Sequence, residues 1–99
     1  MQNHTFEGTA RTIVTVPGQG RMYSYHRTAV VVVREDRTIR LDSGGWRTAT
    51  TKRAMNQASN QDCLGFHVFQ RAGDRFVRWQ DRDLPFVDGM ILSHVPVGA

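Results

Sequence analysis

Apolar and polar residues alternate with a period of two along most of this chain, and helical spacing interrupts the alternation once. Residues 9–16, TARTIVTV, put Ile13 on one face of a strand and Val14 and Val16 on the other. Their β-branched side chains suit a pleated surface. The strand stops at Pro17-Gly18-Gln19-Gly20, where a proline and two glycines set a turn. Residues 22–33, MYSYHRTAVVVV, form the longest β-prone run. Residues 30–33 are apolar on both faces, which predicts a central strand covered on both sides at that end. Tyr23, Tyr25 and Arg27 share one face at the other end. That stripe either stacks on bases or caps a core edge with its hydroxyls in water. After a polar reversal at residues 34–37, a short strand returns over residues 38–41 with Ile39 and Leu41 inward.

Helical spacing appears between residues 50 and 60, where Ala54, Met55 and Ala58 form a narrow apolar stripe. Thr48, Thr50 and Thr51 are the candidate caps of its exposed amides. Lys52, Arg53, Asn56, Gln57 and Asn60 cover the remaining surface. The alternation then resumes as FHVFQ and RFVRWQ around Ala72-Gly73, a hairpin. A two-residue turn there sets Phe69 opposite Phe76 and His67 opposite Arg78; a three-residue loop exchanges the faces of one strand. A short apolar strand at residues 90–92 follows the turn signal Asp88-Gly89. The predicted fold class is α+β in one domain over residues 1–99: an antiparallel sheet of about five strands with one helix across it. Val30, Val32, Ile39, Leu41, Met55, Val68 and Trp79 are its expected core.

Composition narrows the function class. The chain has 99 residues and a formal net charge of +4, and 12 of its 13 basic residues are arginine. A basic balance favours an anionic partner, either nucleic acid or an acidic protein surface. No apolar run approaches the roughly 20 residues of a membrane span, and no leader pattern opens the chain. The expected location is cytoplasmic. Cys63 is the one cysteine, which fits a reducing compartment and, after the helix, a small buried side chain. The four histidines, His4, His26, His67 and His94, are scattered, and Asp81, Asp83 and Asp88 lack the spacing of a calcium loop. The expectation is a binding protein with no catalytic residues, metal or small-molecule cofactor.

Three constellations are candidates for that binding. In the first, Gly44-Gly45 lead into the helix, where outward amides and the helix dipole attract an anion. Arg47, Lys52 and Arg53 supply charge there, and Thr48, Thr50 and Thr51 hydroxyls. The same glycines equally serve as a tight strand-to-helix turn with one threonine as cap. The second is the helix surface, where Asn56, Gln57 and Asn60 suit adenine edges and Arg53 suits guanine edges; a polar helix face turned to solvent has the same composition. The third is the hairpin face of His67, Phe69, Phe76 and Arg78, flanked by Arg71 and Arg75, a composition that holds single-stranded nucleic acid by stacking. The two phenylalanines equally suit ordinary cross-strand packing.

At LDSGGWRTATTKRAMNQASNQ, followed by GFHVFQRAGDRFVRW, the chain resembles small bacteriophage-encoded proteins of unknown function over residues 25–79. The resemblance implies a viral origin and expression in a bacterial host cytoplasm, and it brings no catalytic residue. It also raises a second function class, a protein-binding inhibitor of a host or defence machine.

Overall fold

The computed structural model describes residues 10–45 and 48–94. Within them the elements are β1 (Arg11–Val16), β2 (Gly20–Tyr25), β3 (Thr28–Val33), β4 (Ile39–Leu41), α1 (Ala49–Gln61), β5 (Phe66–Arg71), β6 (Asp74–Trp79), β7 (Arg82–Pro85) and β8 (Met90–Leu92). Antiparallel pairing joins five of these strands in the order β1-β2-β3-β4-β8, and β5-β6-β7 form a second sheet. The fold is therefore α+β with an antiparallel five-stranded sheet and one helix, as the alternation predicts. The chain returns after β7 to lay β8 along β4, so the hairpin strands stand in their own sheet.

The long β-prone run is two strands, not one. Tyr25 pairs with Thr28, and His26 takes a left-handed conformation with φ 57°. Arg27 consequently sits in the turn and does not continue the face of Tyr23 and Tyr25. Between β2 and β3 the register then slips, with Tyr23 opposite Val31 but Ser24 opposite Ala29. Val30 is the extra residue of a bulge, which lets consecutive residues point to one side. Val30 and Val31 are both fully buried for that reason, while Val32, expected in the core, is half-buried on the opposite face.

That opposite face carries one row across all five strands: Val14, Met22, Val32, Arg40 and Ile91. Val14 and Ile91 at its ends are 43% and 42% exposed. The cover expected on both sides of β3 is present on the inner side alone among the described residues. Tyr23, Val31, Ile39, Leu41 and Leu92 share one core there with Ala54, Met55 and Ala58 of the helix, and that core continues into Phe66, Val68, Val77 and Trp79 of the second sheet. At the β1–β2 turn, a Cβ on Gly20 would stand 2.0 Å from the Val33 carbonyl oxygen, so only glycine lets the backbones approach.

Of the three candidate threonines, Thr48 is the N-cap: its hydroxyl accepts the Thr51 amide at 3.2 Å. Thr51, Ala54, Met55 and Ala58 are buried against the sheet, at the i, i+3, i+4, i+7 spacing of one helix face. At the other end the Leu64 amide donates to the Ser59 carbonyl and the Asp62 amide to that of Ala58. This reversal places Cys63 at φ 52°, where glycine is the usual residue. Its thiol is exposed, which corrects the buried position expected for it. Cys63→Gly should raise stability by about 1 kcal/mol by removing the left-handed Cβ contact, read as a higher urea midpoint with an unchanged slope.

Candidate functional site

The strand-to-helix stretch is held together from within. Ser43 is buried, and both its amide and its hydroxyl donate to Asp88 Oδ1, at 2.8 and 2.7 Å. The Gly44 amide donates to Asp42 Oδ1 at 2.7 Å and the Gly45 amide to Ser43 Oγ at 3.2 Å. Neither amide is offered to an external anion, so the glycines act as a turn. Gly44 is required by its φ of 64° and by Thr28, whose Oγ1 would lie 2.6 Å from an added Cβ. The Thr48 hydroxyl is occupied as the cap. Arg47 lies outside the described residues.

The helix surface divides differently from expectation. Arg53 and Asn60 are exposed and Lys52 is half-buried, whereas Gln57 is buried at 5% exposure. Asn56 is half-buried, and its side-chain amide spans the backbone of one β5 residue: Nδ2 donates to the Val68 carbonyl at 2.9 Å and Oδ1 accepts the Val68 amide at 2.8 Å. Ser59 does the same one step along, donating to the Phe66 carbonyl at 2.6 Å and accepting the Phe66 amide at 3.1 Å. Two helix side chains thus replace a neighbouring strand along the open edge of β5. This corrects the expectation that Asn56 and Gln57 would be mainly exposed, and of the three amides suited to base edges it leaves Asn60 alone exposed.

The third constellation assembles. Arg71 pairs with Asp74 around Ala72 and Gly73, which both have positive φ, so the hairpin has the two-residue turn. The register sets Phe69 opposite Phe76 and His67 opposite Arg78. Phe66, Val68, Val77 and Trp79 fill the core, leaving the other face to solvent. The Phe69 and Phe76 rings are 5.8 Å apart and 23° from parallel, and His67 lies 6.3 Å from Phe69 at 11°. Arg71 lies over both phenylalanines, at 5.2 and 5.9 Å from their centroids, and Arg78 is 5.6 Å from the Phe69 centroid. The half-buried rings are therefore a near-parallel platform with exposed arginines and a histidine around it. Arg75 faces the other way and reaches the Thr48 carbonyl.

Asp83 on β7 completes this face, and the hydrophobic pattern does not reveal it. Its carboxylate accepts from Arg78 Nε at 2.9 Å and from Arg71 Nη2 at 3.4 Å, and the Arg78 hydrogen bond holds it below the usual carboxylate range. A second cluster, also unforeseen, lies at the helix C-terminus: Arg21 Nη1 donates to Asp62 Oδ2 at 2.9 Å, and the Tyr23 hydroxyl donates to the same oxygen. Burial, reinforced by that bond, pushes the Tyr23 phenol up to about 12. Burial pushes the Asp62 carboxyl up, but the bonds from Tyr23 and Arg21 outweigh it and leave it below its ordinary value. The Tyr23 hydroxyl is thus tied inside and not in water. Among the described residues no group of three His, Cys, Asp or Glu side chains could hold a metal ion. No helix among them is long and apolar enough to cross a membrane.

No curated protein and no solved structure matches the chain. A family model described as Kyanoviridae Gp96 protein matches residues 1–93, nearly the whole length. The resemblance to small phage proteins over residues 25–79 is thereby widened to a named family, and the chain belongs to the Kyanoviridae Gp96 family of phage proteins.

Proposed function

We propose that this phage protein binds single-stranded nucleic acid on the outer face of β5 and β6. The observation that carries the reading is the aromatic cluster itself: Phe69 and Phe76 near-parallel at 5.8 Å, with Arg71, Arg78 and His67 around them. Stacking on aromatic rings is tolerant of sequence and worth roughly 1–3 kcal/mol per base. Arginine guanidinium planes add a second stacking surface and two-pronged phosphate contacts. Arg53 and Lys52 on α1 add positive charge as a secondary contact for the backbone. The chain's net charge of +4 favours the approach of a polyanion.

The test is fluorescence anisotropy with a labelled single-stranded oligonucleotide at several salt concentrations. Phe69→Ala and Phe76→Ala should each weaken binding by roughly tenfold to a hundredfold, the equivalent of one lost stack. The logarithm of affinity should fall linearly with log salt, with a slope of about 0.7 per neutralised phosphate. Replacing Lys52 and Arg53 by Ala should flatten that slope and move stability by less than about 0.5 kcal/mol. Tight binding that ignores both phenylalanines would sink the proposal.

One observation favours a second reading, docking onto a host protein. Asp83 offsets one of the two positive charges of Arg71 and Arg78, and aromatic residues with arginine are what buried interface centres are enriched in. A host protein that stays bound after nuclease and high salt, and is released by Phe69→Ala, would favour this reading, an inhibitor of a host or defence machine.

A further inference from the structure

We infer that two copies of this chain pair through the outer edge of β1, antiparallel about a twofold axis at Val14, so that their sheets run on as one. The argument starts from how the other sheet edges are closed. Asn56 and Ser59 occupy the backbone of β5. The edge strand β7 is four residues long, with Arg82, Asp83 and Pro85 among them, and β8 is three residues long. Charge, proline, short length and side-chain cover are the ordinary protections of a strand edge.

β1 has none of these between Thr12 and Val16. It is six residues long, Thr12 to Thr15 are all exposed, and Ile13 and Val14 are two of the large apolar residues left in solvent, at 38% and 43%. Among the described residues no strand lies beside its outer edge. The His26 amide donates to the Ala10 carbonyl, and residues in an antiparallel ladder face their partner alternately. Thr12, Val14 and Val16 therefore turn their backbone groups to β2, and Ile13 and Thr15 turn theirs outward.

A second copy is the occupant these groups fit, because antiparallel pairing about a twofold is self-complementary. With Val14 opposite Val14 of the second copy, Ile13 of each chain exchanges both backbone hydrogen bonds with Thr15 of the other. The two Val14 side chains form a close non-hydrogen-bonded pair, and the outer row through Met22 and Val32 continues from one sheet into the next. Arg11 of one copy comes opposite Pro17 of the other, and the pairing ends there because proline has no amide to donate. One strand edge buries less than the roughly 1,200 Å² of a standard stable interface, so the dimer is concentration dependent, with a micromolar or weaker constant.

Sedimentation velocity from about 1 to about 500 µM spans that range. The sedimenting mass should rise from 11.2 kDa toward twice that value. Val14→Lys sets two like charges on the axis, and Thr15→Pro removes an outward amide that β2 does not use. Each should hold the chain monomeric while the far-ultraviolet circular dichroism stays native. Val14→Cys on a Cys63→Ser background should form a symmetric disulfide under mild oxidation, since residues of a non-hydrogen-bonded pair are close enough to bridge. A wild-type chain that remains monomeric at the highest concentration overturns the inference, as does a dimer that persists in both folded variants. If the lysine and proline variants unfold, the disulfide decides: crosslinking supports the pairing, and its absence overturns it.

Discussion

Asn56→Ala combined with Ser59→Ala should lower the stability of this protein by about 4 kcal/mol, since an unsatisfied buried backbone group costs about 1–3 kcal/mol and each substitution strips two such groups. The bonds concerned run from the Asn56 amide to Val68 and from the Ser59 hydroxyl to Phe66. Water reaches part of the Asn56 site, which keeps the expected loss below the sum of four full penalties. For a chain of this size the change corresponds to a melting temperature lower by roughly 15–30 °C. Asn56→Asp retains the acceptor for the Val68 amide and loses the donor to its carbonyl, so it should fall between wild type and alanine. Asn60→Ala, on the exposed side of the same helix, should move stability by less than about 0.5 kcal/mol. Thermal and urea unfolding of the variants decides it. A double variant within about 1 kcal/mol of wild type would mean that the β5 edge does not depend on the helix.

The second large effect is a loss of stability at alkaline pH that Tyr23 causes. Its phenol, 1% exposed and bonded to Asp62, is pushed from 10 up to about 12 by burial and by that bond. A raised acid is protonated more readily in the folded state than in the unfolded one. Its contribution is therefore fully present below pH 10 and is lost as pH rises through about 12. The loss amounts to about 2 kcal/mol, because each tenfold change in an acid constant is worth about 1.4 kcal/mol and solvent near the cluster screens part of the total. Asp62 has the opposite sign: its carboxyl is held low, so its contribution is lost as pH falls through its depressed value. Tyr23→Phe should cost about 1–3 kcal/mol at neutral pH, as for a hydrogen bond to a charged group, and should abolish the alkaline component. Urea midpoints of wild type and Tyr23→Phe between pH 7 and 12 measure both. If the two curves stay parallel up to pH 12, Tyr23 titrates normally.

The candidate site divides along the same physical line. The Phe69–Phe76 and His67–Arg78 pairs are legible in the chain, because an Ala72-Gly73 turn leaves two registers and period two does the rest. Asp83 is not legible, since its partners Arg71 and Arg78 lie on other strands and its place depends on how β7 pairs. The helix surface misleads for a related reason: Asn56 and Gln57 read as solvent residues by composition, yet a polar side chain can be buried wherever backbone groups need a partner.

Local rules determined the α+β class, a helix expected over residues 50–60 and found at 49–61 with one of three candidate threonines as cap, and the strands around Pro17-Gly18 and Ala72-Gly73. These follow from steric preferences and periodicity that act over a few residues. Tertiary structure alone decided the His26 reversal within an unbroken β-prone run and the bulge that buries Val30 beside Val31. It also decided the closing of β5 by Asn56 and Ser59, the Arg21–Tyr23–Asp62 cluster, and the β1 edge that has no neighbouring strand among the described residues. Each depends on which backbone groups find partners far along the chain, and that is settled only when the sheets and the helix are packed together.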